Sequence, residues 1–395
     1  MSVFSALIGQ GDIAADLARA ASGDGMTSSW LFVGAAGSGR SVAARAFAAA
    51  LECTAPEESL DGSIRPGCGQ CTACTTVLAE THADLTVLRP EGLSIGVDDA
   101  RALVLASAMR PTTGRWRILL VEDADRLTEP AGNALLKALE EPAERTVFLL
   151  CAPAVDDVLP TIRSRCRLVQ LRPPSSSDVA HVLESEGVDR SIATFAARAS
   201  QGHVGRARRL ATDENARARR AEVLRLPTRL NTVADCLAAA ADLVEAAEEE
   251  AGGLNSDRNA TETAELQATL SGGKGTRRAS MQVRGAAGAL KDLEKRQKSR
   301  GRRSVLDAVD RALVDLAAWY RDVLAEQLDA HDRAGIEWVH DDQRREILAA
   351  ASSSCAEQTL RRLDAVLACR AALEETPGIS AQLAIESLAL QLRTA

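Results

Sequence analysis

The sequence has few aromatic residues, few lysines and no long apolar run. Aromatic side chains make up 3% of the 395 residues, which is too few for a protein that recognises single-stranded nucleic acid mainly by stacking bases. No stretch approaches 18 apolar residues, so the sequence predicts no membrane-spanning helix. The first residues lack a basic segment ahead of an apolar one, and we therefore expect no signal peptide and a cytoplasmic location.

Lysine is scarce even though the chain is rich in basic residues. Five lysines accompany 42 arginines, and the net charge is −8. An acidic balance excludes a general nucleic-acid coat but leaves room for a local basic surface. The bias towards arginine is typical of a GC-rich genome, so it counts against any special meaning of a single arginine. Three of the nine cysteines fall within residues 68–74, which is not the even spacing of a disulfide-stapled secreted domain.

Residues 1–172 alternate apolar strands with helical segments. The predicted strands lie at 30–33, 117–121, 146–151 and 168–171, and the predicted helices at 41–51 and 128–141. Strands separated by helices imply a mainly parallel sheet that is covered on both faces. The fold class is therefore α/β for this part, and everything after it is predicted to be all-α.

Two prolines and three serines from residue 173 onwards mark the end of the α/β domain. Residues 173–220 are predicted to form a small helical unit, and residues 221–395 a second, longer one. Within the latter, residues 251–304 are predicted to be a flexible insert because glycine pairs flank polar sequence. Its segment 291–303 carries seven basic and two acidic residues, which fits either a solvated helix or a contact to phosphates.

The sharpest local signal is a glycine-rich segment that follows the first predicted strand and opens a helix. Such a segment can cradle phosphate, because glycines let backbone N–H groups turn inward and the helix N-terminus adds positive potential. The candidate nucleotide-binding residues are Gly34, Gly37, Ser38, Gly39, Arg40 and Ser41. The pattern requires lysine where this chain has Arg40, and a planar guanidinium does not replace a compact ammonium. We interpret the segment as a degenerate phosphate loop with weakened or absent ATP turnover, which leaves ATP binding open.

Two acids, Glu122 and Asp123, follow the strand predicted at 117–121. An active ATPase of this layout ends that strand in Asp-Glu, where the aspartate assists Mg²⁺ and the glutamate polarises water. The order is reversed here, so the reach of each carboxylate differs by one methylene. The pair is either a remnant of such a site or two exposed acids at a strand end.

Four cysteines have the spacing of a metal site. They are Cys53, Cys68, Cys71 and Cys74. Four thiolates suit tetrahedral Zn²⁺, whereas a bacterial iron–sulfur run would need a further cysteine at position 78, which is leucine. We predict structural zinc, with an iron–sulfur cluster or no metal as the alternatives.

Ser164 and Arg165 stand before Cys166 at the end of a predicted helix. An arginine near a subunit edge can stabilise charge on a neighbour's transferring phosphate. The alternative that the residues alone favour is an ordinary surface ion pair.

Taken in order, these motifs resemble the bacterial clamp-loader subunits of DNA polymerase III, and among them the delta-prime family. The resemblance covers residues 1–215 and includes the sequence motif at 133–142, which lies mostly in the helix predicted at 128–141. It implies an AAA+ fold with a RecA-like nucleotide-binding-like domain, a zinc module at 53–74, a helical lid and a helical collar.

The resemblance also implies a place in a hetero-pentamer with the tau/gamma ATPase subunits and delta, which loads the sliding clamp on primed DNA. Motor subunits hydrolyse ATP, whereas the delta-prime type acts as a rigid stator without ATPase activity of its own. Its Ser-Arg-Cys arginine, here Arg165 beside Ser164, reaches the ATP site of the adjacent motor subunit.

Two further departures from an active motor agree with a stator. The family's polar sensor falls near Ala152 and Pro153, and its lid arginine falls near Gly205, with Arg206 one place off. Two rival functions stay open: an active ATPase in which Arg40 replaces the lysine, and a zinc-containing DNA-binding module that uses the basic residues of 291–303.

Overall fold

The computed structural model describes residues 2–58, 64–90, 92–271, 279–376 and 378–394. The chain divides into two compact units, an α/β unit that ends at residue 212 and a helical unit that begins at residue 213 and also includes residues 91–93. Among the described residues, no helix is both long enough and apolar enough to cross a membrane.

The α/β unit is built on a parallel sheet. Its seven strands are β1 (Ser29–Val33), β2 (Glu57–Glu58), β3 (Ile64–Arg65), β4 (Leu85–Leu88), β5 (Arg117–Val121), β6 (Thr146–Ala152) and β7 (Arg167–Gln170). Five of them form one sheet in the order β4-β5-β6-β1-β7, with all neighbours parallel. Strands β2 and β3 pair separately as an antiparallel hairpin. Because β1 lies between β6 and β7, the carboxyl end of β1 is where the strand order reverses, the usual place for a ligand site.

Helices cover both faces of this sheet. They are α1 (Gly11–Ala21), α2 (Arg40–Leu51), α3 (Thr72–Leu78), α4 (Val97–Ser107), α5 (Glu129–Glu140) and α6 (Pro160–Arg163), with short 3₁₀ turns at Val3–Ala6 and Ala124–Arg126. Trp30 and Phe32 pack with Phe47 of α2 on one face. Leu31 and Phe148 lie in the core on the other. The central strands β1, β5 and β6 are buried along their whole length and are mostly apolar, as expected for strands covered on both faces.

The four predicted strands are confirmed, and a fifth strand of the sheet, β4, escaped the sequence analysis. Only its first residue is buried, and the other three are half-buried. This four-residue strand at the sheet edge therefore lacks the continuous apolar run from which β1, β5 and β6 can be predicted.

Two buried carboxylates hold the loop that leads into β5. Asp84 accepts backbone N–H bonds from Thr112, Thr113 and Gly114 at 2.7–2.8 Å. Burial opposes its charged form, but these N–H groups outweigh burial, and the pKa of Asp84 lies well below its usual value. Glu52 accepts from the next two amides of the loop at 2.7 Å. Here burial prevails and raises the pKa of Glu52.

Three helices complete the α/β unit as a lid. They are α7 (Ser176–Ser185), α8 (Arg190–Ala199) and α9 (Val204–Thr212). The parallel sheet with a helical lid is the architecture that the AAA+ resemblance implies, and the α/β-then-all-α fold class is confirmed.

The second unit is entirely helical in its described part. Its helices are α10 (Glu214–Arg229), α11 (Val233–Ser271), α12 (Ala279–Gln327), α13 (Ala330–Ala334), α14 (Arg344–Ser353), α15 (Ala356–Glu375) and α16 (Ala381–Thr394), with a 3₁₀ turn at Asp341–Gln343. Its core is formed by residues such as Leu313, Leu316 and Trp319 of α12 and Leu388 of α16.

The boundary between the units lies at residue 213 rather than at the predicted 220. Helix α10 belongs to the second unit because Arg220, almost fully buried, forms ion pairs with Asp315 of α12 and with Asp342. A proline- and serine-rich break marks the start of the lid, but no comparable break marks its end.

The predicted insert of residues 251–304 is helical where the structure describes it. Residues 251–271 continue α11, and residues 279–304 form the first part of α12. The glycine pair at 272–273 lies outside the described residues. That the insert is flexible stays a prediction.

Candidate functional site

The glycine-rich loop has the backbone shape of a phosphate-binding loop. It joins the end of β1 to Arg40, the first residue of α2. Gly37 and Gly39 have positive φ angles of 89° and 85°, which side chains with a Cβ adopt only at a cost. The N–H of Gly34 donates to the carbonyl of Ala152 at 3.3 Å, which fixes the loop to the neighbouring strand.

The Arg40 side chain folds back onto the loop. Its Nη1 donates to the carbonyl oxygen of Gly34 at 2.8 Å, and its Nη2 lies 3.4 Å from Oδ1 of Asp123. Both charged side chains are largely buried, with 18% and 22% exposed. The cation that a phosphate loop offers to its ligand is therefore paired within the protein.

Glu122, like Asp123, forms ion pairs with arginines of the same chain. Its carboxylate accepts from Nη1 of Arg45 on α2 at 3.0 Å and from Nε of Arg89 at 2.7 Å. Both arginines also bind Glu80, and hydrogen bonding to Arg89 lowers the pKa of that carboxyl. Glu122 is 15% exposed. Neither predicted acid is thus a freely exposed group at a strand end, since each is bound by a guanidinium.

Arg45, Glu80 and Arg89 are site residues that the sequence analysis missed. Arg89 follows the overlooked strand β4, and Glu80 follows α3, so both reach the site through elements that the sequence did not reveal. Arg45 lies five residues after Arg40 on α2, where the arginine-rich composition hides it. No local pattern in the sequence links these three residues.

Two buried polar groups near the loop have no hydrogen-bond partner within the described part of the chain. They are the hydroxyl of Ser38 and one carboxylate oxygen of Asp125. Burial and the nearby charge of Asp123 raise the pKa of Asp125. Such unsatisfied groups are few in native proteins and often occur where the site has a function.

The positions predicted for the sensor residues, Ala152 and Gly205, have no polar side chain. Ala152 is buried at the end of β6, and Gly205 lies in the first turn of α9. The N–H of Arg206 donates to Nδ1 of His203 at 3.2 Å. The backbone of His203 lies against the loop itself, because a Cβ added at Gly37 would be 2.5 Å from its Cα.

Arg165 lies on the surface just after α6. Its Nε donates to Glu140 at 2.7 Å, and its Nη1 donates to the carbonyl of Thr161 at 2.7 Å and to Oγ of Ser164 at 3.1 Å. One third of the side chain is exposed. Burial of the neighbouring Cys166 raises the pKa of its thiol to about 12. Within the chain Arg165 forms a surface ion pair, while Ser164 orients its guanidinium.

The four predicted cysteines meet at one place between α2 and α3. The Sγ atoms of Cys53, Cys68, Cys71 and Cys74 all lie within 4.8 Å of one another. Sulfurs around tetrahedral zinc are separated by about 3.8 Å, given Zn–S bonds of about 2.3 Å. The cluster is therefore close to the size of a four-thiolate metal centre.

Backbone amides point at these sulfurs. The N–H of Cys68 donates to Sγ of Cys53 at 3.4 Å, and the N–H groups of Cys71 and Cys74 donate to the preceding ligand sulfur at 3.3 and 3.4 Å. Although burial opposes the thiolate at Cys71, the N–H of Cys74 and contacts to Thr54 lower its pKa to about 5. Since metals bind thiolates, the donor set fits a zinc ion.

Comparison with known proteins gives a family match that lies in the α/β unit and relatives that match part of the chain. The family model described as DNA polymerase III, delta subunit, matches residues 9–175. Delta' subunits of DNA polymerase III from Pseudomonas aeruginosa and Escherichia coli are 40% and 38% identical over 35% and 38% of this chain. A gamma/tau subunit from Mycobacterium tuberculosis is 32% identical over 50% of the chain.

The matches to these relatives cover only part of this chain and only part of each relative. The chain spans 40% and 46% of the two delta' relatives and 35% of the gamma/tau relative. A solved structure of a gamma subunit-related protein from Thermotoga maritima is matched over 97% of this chain and 99% of its own length, at 16% identity and a TM-score of 0.41. Over residues 9–175 the chain is similar to the family described as DNA polymerase III, delta subunit, and part of it is similar to the delta' subunits of that polymerase.

Proposed function

We propose that this chain is the stator subunit of a DNA polymerase III clamp loader and turns over no ATP itself. The observation that carries the proposal is the ion pair between Arg40, at the end of the phosphate loop, and Asp123, which follows β5. The proposed partners are tau/gamma and delta in a cytoplasmic hetero-pentamer, and the sliding clamp and primed DNA through that assembly. The names of the DNA polymerase III relatives support this role.

The pairing removes three things that ATP hydrolysis requires. A motor subunit needs a cation for the phosphates, a carboxylate for Mg²⁺ and a group that orients the attacking water. In this chain Arg40 is bound to Gly34 and Asp123, and Glu122 is bound to Arg45 and Arg89. A nucleotide would have to break these contacts before it could gain any of its own.

An assay on the purified chain tests this proposal. Binding of labelled ATP and release of phosphate are measured on the chain alone, with a tau/gamma subunit as the active control. We expect no steady phosphate release. Stoichiometric ATP binding with steady turnover, lost in Ser41→Ala, would establish the rival function of an active ATPase.

We further propose that Arg165 acts in trans on the ATP site of an adjacent motor subunit. Its guanidinium is held near the surface by Glu140 and Ser164, so it can exchange a carboxylate for a neighbour's phosphate. Arginine forms strong charge-assisted hydrogen bonds with either group. Arginine fingers contribute about 10³–10⁵ in rate in well-studied systems, and we expect a smaller factor here.

Reconstitution with tau/gamma and delta tests the arginine. Arg165→Ala should leave assembly intact and lower the clamp- and DNA-stimulated ATPase activity at least about tenfold, at the lower end of what a finger supplies. Arg163→Ala is the matched control, since the Arg163 side chain is also partly exposed and pairs with Asp156. Wild-type turnover in the Arg165→Ala complex would refute the role.

We propose that Cys53, Cys68, Cys71 and Cys74 hold one structural Zn²⁺. When bound, zinc would cross-link the end of α2 to α3 through its four thiolates. Elemental analysis of natively purified protein should find about one zinc per chain, and Cys71→Ser should lose it. The exposed Cys355 supplies the control variant Cys355→Ser. Protein without zinc would refute the proposal, and iron with visible absorbance would identify an iron–sulfur cluster.

A further inference from the structure

One face of α12 carries a row of cations that we call the basic stripe. It consists of Lys291, Lys295, Lys298 and Arg302, which are all exposed. Their spacing of four, three and four residues keeps them on one side of a helix, within roughly 30° of a common line and over about 16 Å of its length.

The opposite face of α12 packs against α11 and forms hydrogen bonds with it. This packing determines which way the basic stripe faces. The inward residues are Leu293, Gln297, Arg300 and Ser304. Gln297 donates to the carbonyl of Asn259 at 3.1 Å, and Arg300 donates to the side chains of Asn259 and Glu262. Because these side chains lie about half a turn from the stripe, the stripe points away from α11.

The lysines of the stripe are not used for internal ion pairs. Arg300 is paired with Glu262 across the hairpin, but no carboxylate in the described part of the chain pairs with Lys291, Lys295 or Lys298. Three of the chain's five lysines therefore stand in one exposed row, in a sequence that otherwise uses arginine.

We propose that the basic stripe binds the phosphate backbone of duplex DNA. Duplex DNA carries one charge per about 1.7 Å of axis, so a stripe of about 16 Å faces about ten phosphates. Lysine ammonium groups are compact point charges, which suit contacts that do not depend on base sequence. This inference concerns the helical unit and does not depend on the proposed stator role.

Two observations favour duplex DNA over other anionic partners. The stripe contains no aromatic side chain, and stacking on such side chains is what single strands require. Apart from the buried Leu293, the residues between its members are polar or glycine, namely Asp292, Glu294, Arg296, Gln297, Ser299, Arg300 and Gly301. An acidic peptide would find no apolar anchor there. Since the chain has a net charge of −8, binding would be local and sensitive to salt.

Fluorescence anisotropy of the full chain with a short labelled DNA duplex tests the proposal. Four phosphate contacts give a slope of about −3.6 in log affinity against log salt, which is about a 150-fold loss from 50 to 200 mM. The variant Lys291→Gln/Lys295→Gln/Lys298→Gln keeps one contact, so its loss over the same range should be only about three- to fourfold. Its affinity at low salt should also be weaker than that of the wild type.

A matched variant removes the same charge elsewhere. Arg101, Arg333 and Arg361 are exposed surface residues with side chains 68%, 77% and 64% accessible, and their triple replacement by glutamine should keep the wild-type salt slope. Circular dichroism of both variants checks that the helices persist.

Three results would overturn the inference. One is a wild-type chain that does not bind the duplex at low salt. The second is a matched control that loses as much affinity and slope as the lysine variant. The third is a poly-glutamate peptide of equal charge that binds more tightly than the duplex and displaces it, which would assign the stripe to an acidic protein partner.

Discussion

A pair of glycine substitutions tests the contact between the lid and the phosphate loop. Gly37 and Gly39 lie two residues apart in the loop and have nearly the same positive φ, 89° and 85°. Their surroundings differ. A Cβ at Gly37 would lie 2.5 Å from Cα and 2.9 Å from N of His203, whereas a Cβ at Gly39 meets nothing within 4 Å.

The loss of stability expected for each variant follows from this geometry. Gly39→Ala adds only the strain of a left-handed conformation, about 1–2 kcal/mol. Gly37→Ala adds the same strain and also forces apart backbone atoms that cannot move independently. Overpacking of this kind costs about 1–3 kcal/mol, so Gly37→Ala should destabilise the unit by about 2–5 kcal/mol in total.

The difference between the variants is the quantity to measure. Urea unfolding gives the stability of each variant relative to the wild type. Amide hydrogen exchange then shows where the cost falls, because a lid pushed away from the loop loses protection in α9 before the sheet does. We expect faster exchange in α9 for Gly37→Ala and wild-type exchange there for Gly39→Ala.

The reasoning would be refuted if Gly39→Ala cost as much as Gly37→Ala. Equal costs would mean that backbone strain alone decides the effect, and that the backbone of His203 does not pack on the loop. Equal exchange in α9 would lead to the same conclusion.

Three further predictions concern charged side chains. Asp84→Asn should lower the free energy of unfolding by about 3 kcal/mol at pH 7, because hydrogen bonds to a buried charged group are lost. The pKa of Asp84 is lower in the folded state than its unfolded value of about 3.9, so the carboxylate stabilises the fold above that pH and stabilises it less as the pH falls below it. The difference between variant and wild type in urea unfolding should therefore shrink towards pH 3. Arg40→Lys should not restore ATP turnover, because Glu122 stays bound to Arg45 and positions 152 and 205 stay apolar; phosphate release at motor rates would contradict this. Arg300→Met should speed hydrogen exchange in the described parts of the α11–α12 hairpin, because Glu262 loses the arginine that crosses to it; unchanged exchange would contradict this.

Sequence patterns predicted the elements whose signal is local. The buried strands β1, β5 and β6 are continuous apolar runs, and the four cysteines are close enough in sequence for their spacing to imply one site. The same holds for the loop glycines, whose function depends on backbone conformation. In each case a few adjacent residues contain the physical cause.

The site residues that the sequence did not predict lie far apart in the chain and are brought together only by the fold. Arg45 reaches Glu122 across 77 positions, and Arg89 reaches it across 33. The sequence suggested either a remnant site or exposed acids, and it had no means to show that guanidinium groups bind both. The edge strand β4, which delivers Arg89, was too short and too exposed to be recognised.

The internal pairing of Arg40, Arg45 and Arg89 has a consequence for how the α/β unit responds to its surroundings. A ligand that binds only the folded state stabilises it by RT ln(1 + [L]/Kd), so a motor domain changes stability as ATP, ADP and Mg²⁺ vary. In this unit Arg40, Asp123 and Glu122 already have partners within the chain, so a nucleotide would have to displace those partners to bind. We therefore expect the melting temperature of the unit to be the same with and without nucleotide, as the proposed stator role requires.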